Sequence, residues 1–210
     1  LSRGLGDVYK RQIQEDRLNE GNIRNLKSIV LQPRFLQAIT AAAFAYAVMS
    51  FLMTATPLSM HVMENMSLKE TGLVLQFHVV AMFLPSLITG NLIKKYGHST
   101  IIYGGVLFFF ITVLLSLFEQ TYLNYMLSLI FLGLGWNFLF ISGTSLVVLT
   151  YNKGEKFKVQ GVNDLIVFST MALASLSAGI LLNSIGWKMM NLICIPSVSY
   201  THLRAHETAS

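Results

Sequence analysis

Seven polar or titratable side chains stand within, or at the edge of, otherwise apolar runs: Gln76, His78, Trp136, Asn137, Gln160, Asn163 and Asp164. Each suits a different task. An imidazole with an ordinary pKa of about 6.5 can take or release a proton near neutrality. Buried in an apolar run, the same ring can also stay neutral and bond a neighbouring helix. Asn137 can hydrogen-bond a solute or another helix, and Trp136 can stack on a ring or fill a packing gap. Gln160, Asn163 and Asp164 cluster near the start of a predicted helix. The N-terminal dipole favours acids and amides there by about 0.3–1 kcal/mol.

The patterns of hydrolytic and nucleotide chemistry are missing. The chain contains no His-Glu-x-x-His zinc pair and no Gly-x-Ser-x-Gly elbow. It also lacks a Gly-x4-Gly-Lys-Ser/Thr phosphate loop. Gly133 and Gly135 lie inside an apolar run with no strand before them, so they are not a nucleotide loop. One cysteine, Cys194, excludes an internal disulfide framework and a cysteine metal cluster. The ten methionines read as apolar filler. Neither an enzyme, a metal site nor a cofactor is expected.

These residues must be positioned by membrane helices. The 210 residues are 53% hydrophobic and only 12% charged, with mean hydropathy +0.57. A soluble domain carries about 25% charged residues. The net charge of +5 needs no nucleic-acid partner, because lysines in short loops account for it. The apolar runs predict helices over about 35–60, 71–93, 100–118, 122–151 and 160–185, and a sixth, truncated one over 187–196. Spanning a hydrocarbon core takes about 20 residues. Pro33 suits a helix start, while Pro57 and Pro85 are expected to kink their spans.

The connecting segments are strongly asymmetric. Arg17, Arg24, Lys27, Arg34, Lys94, Lys95, Lys153, Lys156 and Lys158 fall on one side, and only Lys69 and Lys188 on the other. That bias places the nine on the cytoplasmic side. The polar segment 13–34 is then a cytoplasmic linker. Residues 1–12 and 197–210 resemble adapter-derived translations and are set apart from the transmembrane bundle over 35–196.

Between the second and third spans lies Gly90-Asn91-Leu92-Ile93-Lys94-Lys95-Tyr96-Gly97, read as a tight basic turn. Together with six spans, it resembles one half of a major facilitator superfamily transporter. There the corresponding loop of the first half reads Gly-x-Leu-x-Asp-Arg-x-Gly-Arg-Arg, and the second half carries a degraded copy. Gly90, Leu92, Lys95 and Gly97 match. Lys94 replaces the aspartate, and His98 and Ser99 replace the arginines. The degraded form, the charged segment before the first span and the absence of an intramembrane arginine in the fourth span all favour the C-terminal half.

The resemblance implies an all-α integral membrane fold, a six-helix half-bundle of two inverted three-helix repeats. Solute would lie between the halves near the bilayer midplane. Spans 1, 2, 4 and 5 would face it, with 3 and 6 as outer supports. His78, Gln76, Asn137 and Trp136 are then candidates for the solute cavity, and Asp164, Asn163 and Gln160 for a gate or docking site. Such a fragment serves secondary transport by alternating access, with a proton as candidate coupling ion. Its partners would be a small-molecule substrate, the lipid bilayer and an N-terminal half of the same permease, in a bacterial inner membrane. The reading from another class is a small polytopic interaction or assembly protein without transport activity.

Overall fold

A computed structural model describes residues 23–207, with side chains for 23–195. The expected artefact at 1–12, the linker residues 13–22, and residues 208–210 lie outside the described residues. All the regular structure among the described residues is helical.

The short helix α1 (Leu26–Val30) opens on Asn25, whose side chain accepts from the Lys27 N–H at 3.1 Å. In α2 (Pro33–Pro57), Pro33 takes the first helical position, where its missing N–H costs nothing. Pro57 closes the α-helix, and a wider π-helical turn, Leu58–Met63, follows it directly. Asn65, at φ 55°, ends this segment.

Ser67 and Glu70 then cap each other's end of α3 (Leu68–Phe83), the reciprocal arrangement that their three-residue spacing encodes. The expected single span over 71–93 is two helices. Pro85 separates α3 from α4 (Ser86–Tyr96). Gly97, at φ 83°, makes the corner into α5 (His98–Ser116).

A polar stretch leads to α6 (Tyr122–Val148), capped by Thr121. After the helical turn Lys153–Glu155 comes α7 (Lys156–Glu207), broken by non-helical Gly186 at φ 74°. Five stretches are long and apolar enough to cross a membrane: Pro33–Met63, Leu68–Tyr96, His98–Ser116, Tyr122–Val148 and Lys153–Ile195. The last has 43 residues, about 65 Å of helix, or twice a hydrocarbon core. The chain doubles back at Gly186: Ile193 and Cys194 share a groove with Ala174, Ser177 and Leu181. Helix α7 continues through the tail that the sequence sets apart at 197.

Helix α6 is the hub, packed against α2, α3 and α5. It approaches them through glycines. Gly133 meets the His78 carbonyl and Ala81, and Gly143 meets the Ala38 carbonyl and Ala42. Gly135 and Gly105 bring α5 close, against Phe109 and Leu139. Small residues at helix contacts let dispersion forces act over long backbone stretches, the main source of association in lipid. A second apolar cluster, with Ile29, Phe35, Ile39, Val147 and Val159, seats α1 against α2, α6 and α7.

Candidate functional site

Asn137 is fully buried; both N–H groups of its amide donate and its carbonyl oxygen accepts. Nδ2 donates to the Met82 carbonyl and to Ser86 Oγ, both at 2.7 Å, and Oδ1 accepts from the Thr89 hydroxyl at 2.6 Å. These partners bracket Pro85. The amide therefore ties the α3–α4 break to α6, and α3 and α4 act as one bent span. Asn137→Leu removes the amide that the Met82 carbonyl and Ser86 hydroxyl bond, and leaves the Thr89 hydroxyl only its bond to the Pro85 carbonyl. It should lower thermal stability in detergent by about 1–2 kcal/mol, the scale of interhelical hydrogen bonds in membranes; an unchanged melting temperature would contradict this role.

His78 sits in the same α3–α6 seam, with no exposed surface. Its Nδ1 donates to the Leu129 carbonyl at 2.7 Å, which leaves Nε2 as an acceptor, buried and unpartnered. Val74 and Met82, one turn to either side, are buried with it. Gln76, two residues before it, is exposed. The structure therefore separates these two cavity candidates onto different faces.

Trp136 heads a group of rings drawn from four spans. Its indole is 3% exposed and stacks on Phe140, with centroids 4.9 Å apart and an 18° angle. Tyr46 of α2 meets Trp136, Phe140 and Phe168 edge-on at 5.2, 4.9 and 6.0 Å. Phe83 of α3 meets Trp136 at 5.8 Å. The Trp136 N–H has no hydrogen-bond partner. Spacing along one helix singles out only Trp136 among these rings, because the others converge from distant segments.

Gln160, Asn163 and Asp164 lie well inside α7, which begins at Lys156. The capping box is instead made by Asn152 and Glu155, at the helical turn Lys153–Glu155 that leads into α7. Gln160 Nε2 donates to the Tyr151 hydroxyl at 2.7 Å. Asn163 Nδ2 donates to Asp164 Oδ1 at 3.0 Å, and the buried Asn163 Oδ1 is unpartnered. With Thr144 and Ser145 the three border a pocket of about 340 Å³ between α6 and α7.

The Gly90–Gly97 stretch is not a turn along its length. Gly90 to Tyr96 are helical, and Gly97 alone makes the corner. The local reason is that Asn91 to Tyr96 contains no helix breaker, and Gly90 is exposed with open space about it. Leu92 is half-buried, and Lys94 and Lys95 project from the last turn into the open. Cations are favoured at that helix end.

One polar centre escapes the sequence. Arg24 grips Glu155 across 131 residues: Nη2 donates to Oε2 at 2.7 Å and Nε to Oε1 at 3.0 Å. The Arg24 and Asn152 N–H groups add bonds of 2.8 Å each, and Arg24 Nη2 also reaches the Thr150 carbonyl at 3.0 Å. Glu155 is 1% exposed. Its hydrogen bond raises the Arg24 guanidinium above its ordinary pKa. The Asn152–Glu155 spacing is a capping signal that sequence can show; the arginine's choice of partner is not.

A family model described as Major Facilitator Superfamily matches residues 19–198. A riboflavin transporter, RfnT, of Brucella anthropi is 40% identical over 176 residues, which is 84% of this chain and 44% of that protein. An uncharacterized MFS-type transporter of Bacillus subtilis, YddS, is 33% identical over 177 residues, 79% of this chain and 40% of its own. A second from the same organism, YdeG, is 30% identical over 156 residues, 73% of this chain and 36% of its own. The chain spans less than half the length of each of these curated relatives.

Proposed function

The chain belongs to the major facilitator superfamily, and from that premise we propose that it is the C-terminal half-bundle of a permease that moves a small solute by alternating access. The observation that carries this reading is the meeting of α2, α3, α6 and α7 through polar and aromatic side chains at mid-span. The family's cavity-lining spans are these four. On α6, Gly135 and Leu139 approach α5, whereas Trp136 and Phe140 pack with Tyr46 of α2. The α5 contact therefore leaves the ring face to the other three helices, as expected of an outer support. The opposing wall of the cavity would come from an N-terminal half. Asp164, Asn163 and Gln160, bordering their own pocket, serve as a docking site for that half on the cytoplasmic side.

Proton coupling through His78 is a second reading, favoured by one observation, the unpartnered Nε2. Protonation there would place a charge in the α3–α6 seam and drive the two helices apart. Uptake by the full-length permease in proteoliposomes, at two pH values, tests both readings. Riboflavin, named for the Brucella relative, is the first solute to try, with ribitol as its ring-free counterpart. Solute uptake is expected with both halves present, and residues 23–195 alone should take up nothing. The His78→Gln variant should lose the acid stimulation of uptake; a full pH response in that variant would remove His78 from coupling. Assembly with other proteins and no uptake of any solute would favour the interaction reading instead.

A further inference from the structure

We propose that Tyr46, Phe140 and Phe168, set around Trp136 and Phe83, form a stacking platform for a planar conjugated ring. This platform would decide which solutes the cavity accepts; the proposal rests on the transport reading above.

Position is the first argument. Each ring lies within about five residues of the middle of its membrane passage: Tyr46 in Pro33–Met63, Phe83 in Leu68–Tyr96, Trp136 and Phe140 in Tyr122–Val148, and Phe168 in the passage before Gly186. Four helices thus send aromatic side chains to one depth, the depth at which such transporters hold their solute.

Exposure is the second. A ring cluster that served only to pack helices would be covered throughout. Here Trp136 is 3% exposed, but Phe168 is 50% and Phe83 59% exposed, and Tyr46 and Phe140 are half-buried. The cluster is therefore closed at its base and open at its rim. Tyr46 presents its ring edge-on to three neighbours, an arrangement that fixes its plane through the quadrupoles of the rings. A fixed ring plane costs little further entropy when another ring stacks on it.

The third argument is polar accounting. Asn137, the neighbouring amide, is fully enclosed with both N–H groups spent on the α3–α4 break, so it does not meet a solute. The Trp136 N–H has no partner, and a buried donor without one is costly. That N–H is enclosed at the closed base of the cluster, so the surface left for a solute is made of ring faces. A solute held here is therefore recognised by its π-face, and hydroxyl-rich or charged solutes without a ring gain little.

The test uses the full-length permease with riboflavin as the ring-bearing probe and ribitol as the ring-free one. Binding is measured in detergent by the change in flavin fluorescence and, separately, uptake in proteoliposomes. Leucine keeps the apolar bulk of the site and removes the π-face. Phe168→Leu, at a half-exposed position, spares the fold, and Tyr46→Leu is its partner variant. Stacking on an aromatic side chain is worth enough for a loss of about tenfold in riboflavin affinity in each variant, with a matching rise in KM. Phe108→Leu, in the separate Phe108, Phe131 and Phe138 cluster, is the aromatic control and should leave the affinity unchanged.

Unchanged riboflavin affinity in both Tyr46→Leu and Phe168→Leu, or ribitol binding as strong as riboflavin binding, overturns the proposal, as does an unmodified permease that binds no riboflavin. Ring-dependent binding with no uptake supports the platform and overturns the transport reading instead.

Discussion

Replacing Arg24 with alanine should lower the stability of the bundle, read as a fall in melting temperature in detergent. Glu155 is almost fully enclosed and takes four donors, of which the guanidinium supplies two. Removing one partner of an enclosed charge pair destabilises because the other charge stays behind unpaired. Two features reduce that cost here. The Arg24 side chain is 40% exposed, and two backbone N–H groups still reach the carboxylate. Restoring neutrality with Glu155→Gln in the same chain should recover part of the loss. Equal stability of Arg24→Ala and the unmodified protein would mean that the pair adds nothing. Hydrogen exchange supplies a second readout: amides of 150–156 should open faster in Arg24→Ala, since Arg24 also holds the Thr150 carbonyl.

A penalty of about 3 kcal/mol is expected for Gly133→Val, from the opposite cause. A Cβ at that position would lie 2.7 Å from the His78 carbonyl oxygen, 2.9 Å from Ala81 Cβ and 3.0 Å from the Met82 nitrogen. Two of these atoms are backbone, so no side chain can swing aside and α3 must part from α6. Overpacking of this kind costs about 1–3 kcal/mol, and the two γ-methyl groups put valine at the upper end. The separation would also stretch the His78–Leu129 and Asn137–Met82 bonds. Gly90→Ala is the control: it meets nothing within 4 Å on an exposed helical position. Alanine there should be neutral or stabilising by up to about 1 kcal/mol. Similar melting temperatures for the two variants would refute the close approach of α3 and α6.

The contrast between these glycines shows how far a sequence can be read. Gly90 stands out in the chain because it opens a basic stretch, yet it is an ordinary helical residue. Gly133 stands out only as one glycine in an apolar run, yet two helices meet on it. Motif spacing marks Gly97 correctly as a corner, because a positive φ is a property of the residue and its immediate neighbours. The same holds for Pro33 at a helix start and for the break between spans at Gly186, whereas the Ser67–Glu70 box starts its helix three residues before the span expected from 71.

The candidate site is legible to a lesser degree. His78, Trp136 and Asn137 are conspicuous because a polar atom in an apolar run must find a partner or a purpose. Which of these it finds is not written beside it. Asn137 turns out to bind the backbone around Pro85, and Gln76 faces away from His78. Gln160, Asn163 and Asp164 look like helix caps by order in the chain, but the helix starts a full turn before them.

By itself, the sequence determined that this chain is a set of long apolar helices, where most of them begin and turn, and which family they resemble. Those properties are sums or local rules over consecutive residues: apolar length against the thickness of a bilayer, and φ preferences at glycine and proline. The tertiary structure alone decided that Arg24 pairs with Glu155, that the Asn137 amide is spent on a helix break, and that rings from four helices meet at one depth. Each of these depends on the rotation and sliding of helices against one another. Glycine contacts set that registry, and at each a single added carbon would move the helices apart.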